Sequence, residues 1–137
     1  MEAQRIFPDT ELVSTILGFA YARSGQLPEA IPRFESAARQ NPEEPQCWIN
    51  LAAVRMDNRE DGSKAREACE TALRLAPTNI QALGLKIKLC SDQEDYEAAL
   101  TCAKKLRELE PKNEEHQNRI HEIEKKMETA NRGPKPQ

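Results

Sequence analysis

The chain has 137 residues and a mass of 15.5 kDa, enough for one domain with a packed core. A net charge of −3 and a pI near 5.5 weigh against a broad nucleic-acid-binding face. With 38% apolar, 31% charged and only 4% aromatic residues, the composition suits an exposed helical protein better than a compact β fold.

The first stretch, AQRIFPDT (residues 3–10), reads as the end of a helix, stopped by Pro8 and a polar cap. It holds no apolar core of a secretion signal. Leu17, Gly18 and Tyr21 then share one face of a first complete helix, and the turn Ser24-Gly25-Gln26 follows. A second helix carries Leu27, Ala30, Ile31, Phe34 and Ala37 at three- and four-residue steps. Pro28 suits its start, whereas Pro32 removes a helical hydrogen bond and predicts a local bend. The next pair carries Trp48, Leu51 and Ala52, a turn around Asp61-Gly62, and then Ala65, Ala68, Cys69, Ala72 and Leu73.

The third pair carries Leu83, Ile87 and Cys90, then Tyr96, Ala99, Leu100, Ala103 and Leu106. Gly84 lies inside its first helix at a cost of about 1 kcal/mol relative to Ala; close approach of a ligand or neighbouring helix would account for it, and plain sequence drift equally so. A seventh helix runs from Glu114 to Ala130, with Ile120, Ile123, Met127 and Ala130 on one face and charges on the other. His116 and His121 are about 140° apart on it and are expected to be solvated. NRGPKPQ (residues 131–137) is expected to be a disordered tail.

A period underlies these elements. Pro8, Pro42, Pro77 and Pro111 are spaced by 34, 35 and 34 residues. Ala3, Ala37, Ala72 and Leu106 stand five residues before them, and Ala30, Ala65 and Ala99 recur in the same phase. A helix pair that cannot bury both faces gains a core by stacking on its neighbours.

LGFAYARSGQLPEAIPRFESAARQNP (17–42), WINLAAVRMDNREDGSKAREACETALRLAP (48–77) and DYEAALTCAKKLRELEP (95–111) resemble the tetratricopeptide repeat (TPR) family. The third departs most, with Lys86 where Leu17 and Leu51 stand and Ile87 in place of Gly18 and Ala52. The resemblance implies an all-α, TPR-type helical-hairpin solenoid of three repeats (residues 11–44, 45–79 and 80–113). The C-terminal capping helix would span 114–130, and residues 1–8 would be a remnant of a preceding repeat. On that phase the chain is expected to be a piece cut from a longer solenoid.

Catalysis is not expected. No glycine-rich phosphate loop or carboxylate–histidine–nucleophile constellation is visible, and no cofactor or metal is implied. Cys47, Cys69, Cys90 and Cys102 lack the spacing of a zinc or redox motif and are expected to be free and buried, in a reducing compartment such as the cytoplasm or nucleus.

In TPR arrays the first helix of each pair lines a concave groove that takes a partner's peptide or helix. The resemblance places Leu12, Thr15, Ile16, Phe19 and Arg23 in that lining, with Gln46, Ile49, Asn50, Ala53 and Asp57 from the second repeat. Gln81, Gly84, Leu85 and Lys88 come from the third. Ile16, Phe19, Ile49 and Leu85 make this lining apolar, and packing of some of them against neighbouring helices is the alternative reading. The implied function is a non-enzymatic interaction module, a scaffold or adaptor, for an amphipathic or hydrophobic partner. The alternative is a structural segment that self-associates through its N-terminal end or assembles into a larger complex. Neither nucleic acid nor membrane insertion is expected.

Co-chaperone members of the family grip a chaperone's C-terminal carboxylate with Lys and Asn on the first repeat, Asn on the second, and Lys and Arg on the third. At those places the sequence is expected to offer Thr15 and Phe19, then Asn50, then Gln81 and Leu85. A lone Asn50 cannot replace several charge-assisted hydrogen bonds, so a carboxylate clamp is not expected. Its amide remains able to bond a ligand backbone.

Overall fold

Alanine-rich amphipathic segments separated by Pro-bearing linkers fold as helical hairpins because small side chains let two helices approach closely. The computed structural model describes residues 10–59 and 62–132, and these form α-helices without strands. The helices are α1 (Glu11–Arg23), α2 (Leu27–Gln40), α3 (Pro45–Asn58), α4 (Gly62–Leu75), α5 (Ile80–Asp92), α6 (Tyr96–Leu109) and α7 (Glu114–Asn131). The expected remnant at 1–8 lies outside the described residues. So does most of the expected tail, although Asn131 belongs to α7.

Polar side chains cap the starts of several helices. Thr10 Oγ1 accepts from Val13 N at 3.1 Å, Asn79 Oδ1 from Ala82 N at 3.0 Å, and Asp95 Oδ1 from Ala98 N at 3.3 Å. Each satisfies an amide that has no carbonyl one turn back, worth about 1 kcal/mol. The hairpin turns share another device. Gly25 has φ +79°, and Arg59 and Glu94, which follow at intervals of 34 and 35 residues, both have φ 59°. A left-handed residue thus recurs at one phase, where only the first is glycine.

The chain divides after Pro77 into two compact units. In the first, α1 packs on α2, α2 on α3 and α3 on α4. Ala30, Ala65 and Ala72 are buried together with Phe34, Ile49, Leu51 and Cys69. Helix α2 continues from Leu27 to Gln40 through Pro32. Arg55 of α3 ties this unit together: Nη2 lies 3.1 Å from Glu35 Oε2 on α2, and Nη1 donates to the Lys64 carbonyl of α4 at 3.5 Å. Ser14, buried in α1, donates to Ser36 Oγ at 3.4 Å, and Gln40 Nε2 donates to the same Ser36 oxygen at 2.9 Å.

In the second unit, α5 packs on α6 and α6 on α7. Its core holds Leu83, Ile87, Leu89, Cys90, Ala99, Ala103 and Leu106, closed by Ile120 and Ile123 of α7. All four cysteines are buried and outside any disulfide among the described residues, as their helical positions suggest.

Candidate partner-binding surface

Within the first unit, α1 turns Ser14 and Gly18 inward, and its opposite side carries Leu12, Ile16 and Phe19. These are 64%, 58% and 44% exposed, a stripe at steps of four and three residues with no helix covering it among the described residues. Phe19 is anchored on one edge by Phe34, their rings 5.1 Å apart and nearly perpendicular. Leu12 and Ile16 have no such anchor and present their side chains to solvent. Arg23 is exposed at the end of the helix.

Thr15 is committed elsewhere. Its hydroxyl donates to Glu11 Oε1 at 3.2 Å, and the same oxygen accepts from the Cys47 thiol of α3 at 3.5 Å. Burial and the Glu11 carboxylate push the Cys47 thiol up to about 11, so it stays protonated and holds α1 to α3.

On α3, Gln46 is exposed and Ala53 is half-buried. Asn50 is 9% exposed, and its Oδ1 accepts from Gln46 Nε2 at 3.0 Å, leaving its NH₂ as the group free to donate. Ile49 corrects the expected lining. It is completely buried, because α3 is packed on one side by α2 and on the other by α4. It belongs to the core and offers a partner nothing.

Within the second unit, Gln81 and Lys88 are exposed and Gly84 and Leu85 half-buried along α5. A β-carbon added to Gly84 would meet nothing within 4 Å, so close helix approach does not explain this glycine. Close approach occurs instead at Gly18, whose added β-carbon would lie 2.8 Å from Phe34 ring carbons.

Gln81, Gly84, Leu85 and Lys88 line a cavity of about 370 Å³ that Leu106 of α6, Glu110 just after that helix, and His116 and Arg119 of α7 complete. His116 is a second correction. It is 5% exposed rather than solvated, because the first turn of α7 folds it under Glu110, whose Oε1 lies 2.7 Å from Nε2. Its Nδ1 is buried and has no partner among the described residues. His121 does stand at the surface, 3.8 Å from Glu124.

Of the residues expected at the clamp's places, Asn50 alone carries the matching group; Thr15 and Phe19 on α1 and Gln81 and Leu85 on α5 supply neither the cations nor the first amide.

The model of the Tetratricopeptide repeat family matches residues 17–80. A curated relative, Hsp70-Hsp90 organizing protein 2 of Arabidopsis thaliana, is 25% identical over 118 residues, which is 85% of this chain and 20% of that protein. The chain thus spans about a fifth of the relative's length. Among solved structures, the first TPR of Spaghetti (RPAP3) bound to HSP90 peptide SRMEEVD superposes with a TM-score of 0.76 at 23% identity, covering 85% of this chain and 94% of that one. The first TPR domain of the human RPAP3 protein gives 0.80 at 22%, covering 90% and 97%. The Sgt2 TPR domain from Aspergillus fumigatus gives 0.79 at 24%, covering 93% and 85%. At these identities the likeness is one of fold.

Proposed function

We propose, for a chain that carries tetratricopeptide repeats and folds as a domain of them, a non-enzymatic interaction module that holds a partner's peptide or amphipathic helix against its first-of-pair helices. The observation that supports this reading most is the Leu12–Ile16–Phe19 stripe. A helix of a folded unit that leaves three large apolar side chains at contiguous helical steps in water has surface to gain from a partner, at about 25 cal/mol per Å². Gln46 and the Asn50 NH₂ add polar groups able to bond a peptide backbone.

Ile16→Glu combined with Leu12→Glu tests it, because neither side chain supports the core. Loss of partner capture from cell extract with unchanged helicity is expected; undiminished capture would sink the assignment. Light scattering on the same variants separates the self-association alternative, in which the unmodified chain is a dimer and the double variant a monomer.

A chaperone terminus is a second reading, favoured by the relatives' names and by Asn50. Against it, Thr15, Phe19, Gln81 and Leu85 leave the remaining clamp contacts unmade. Titration calorimetry with the peptide SRMEEVD decides between them: heat that vanishes when the peptide's C-terminal carboxylate is amidated supports a chaperone terminus, and no heat leaves the apolar partner as the reading.

A further inference from the structure

The second unit contains a feature that an apolar stripe does not use. Around the cavity on α5, two cations from different helices, Lys88 and Arg119, line one recess. Neither forms an ion pair among the described residues. The acid beside them, Glu110, is already engaged by the His116 ring at 2.7 Å. Lys88, Arg119 and Glu110 together leave the recess at +1. The surplus is local, since the whole chain carries −3. Leu85 and Leu106 form an apolar side to the same recess. Its volume of about 370 Å³ suits one or two side chains, not a folded surface.

We propose that this recess is a subsite for an acidic side chain of the partner's peptide, a Glu or Asp followed by an apolar residue. It rests on the interaction-module reading above and names the partner's chemistry. Arg119 supplies a planar fork that can meet a carboxylate with two parallel hydrogen bonds, and Lys88 supplies a mobile point charge. The following apolar side chain lies on Leu85. A side-chain carboxylate differs from a chain terminus in leaving the peptide free to continue in both directions.

Short probes read the subsite directly. The full chain, labelled with nitrogen-15, is titrated with a tetrapeptide alternating glutamate and leucine, acetylated and amidated so that it has no terminal charge. Saturable shifts at the amides of Gly84, Leu85 and Lys88 are expected, about ten-fold weaker for the peptide with glutamine in place of glutamate. Arg119→Gln and Lys88→Gln should each weaken them several-fold at unchanged helicity, and added salt should do the same. Equal response to the glutamine peptide, or no response to either, overturns the proposal. So does an equal response to sodium acetate, which would mark an adventitious ion only. A glutamine peptide with a free C-terminus that binds as tightly as the capped glutamate peptide overturns it in favour of a terminal carboxylate. The Ile16→Glu variant should keep these shifts, so failure here and failure of the apolar stripe are told apart.

Discussion

The ring of Phe34 occupies the space that a β-carbon on Gly18 would need, with ring carbons 2.8 Å from it. The phase of this contact recurs with the sizes exchanged. Gly18 and Phe34 correspond to Ala52 and Cys69, and then to Ile87 and Ala103, all of them buried. As the residue on the first helix grows, its counterpart on the second shrinks, which holds volume roughly constant within each hairpin.

Gly18→Ala should therefore destabilise the first unit despite the better helix propensity of alanine. Phe34 is 2% exposed and packed against Phe19, so its ring has little room to move, and overpacking costs about 1–3 kcal/mol. Gly84→Ala meets open space and should instead stabilise by about 1 kcal/mol. Paired thermal melts of the two variants check both signs. Adding Phe34→Leu to Gly18→Ala should cost less than the sum of the single changes.

Glu94 carries a left-handed backbone at the phase where the first hairpin uses Gly25. A side chain there costs about 1 kcal/mol that glycine avoids. Glu94→Gly should raise the denaturation midpoint of the second unit, and Gly25→Ala should lower that of the first. Equal midpoints for Glu94→Gly and the parent would show that the turn relaxes around the side chain.

Ile49 and Ile16 are both isoleucines on first-of-pair helices, yet one is completely buried and the other 58% exposed. Ile49→Ala should cost about 2–5 kcal/mol in chemical denaturation, whereas Ile16→Ala should stay within about 0.5 kcal/mol. Only Ile16→Ala should weaken partner binding at constant fold.

The Cys47 thiol, pushed up to about 11 from an ordinary 9.0, links stability to alkaline pH. Its folded value lies above the unfolded one, so the stabilisation is complete below about pH 9 and is lost as pH rises from there through 11. Cys47→Ala should flatten that part of the stability profile. In the native state at pH 8, alkylation of Cys47 should run about a hundred-fold slower than that of an ordinary thiol, with mass spectrometry as the readout.

Much of the fold was legible because it is written periodically. The prolines at 42, 77 and 111, the alanines at 30, 65 and 99, and the apolar steps within each helix follow from local geometry, and the helices lie where those steps put them. The burial of all four cysteines was legible for the same reason. The candidate surface was legible only in part. The resemblance put Leu12, Ile16 and Phe19 in the expected lining, but it put Ile49 there as well.

Phase could not tell how wide an arc each helix buries, since that depends on how many neighbours it has. Ile49 lies in the core because α3 has a helix on each side, and His116 is buried because the start of α7 sets it beside Glu110, six residues earlier. The same holds for the two glycines. Gly18 and Gly84 look alike as helical interruptions in the chain, and only the presence of a ring beside one and open space beside the other separates them. Local pattern determined the helices and their apolar faces; contacts between residues distant along the chain decided which of those faces remained for a partner.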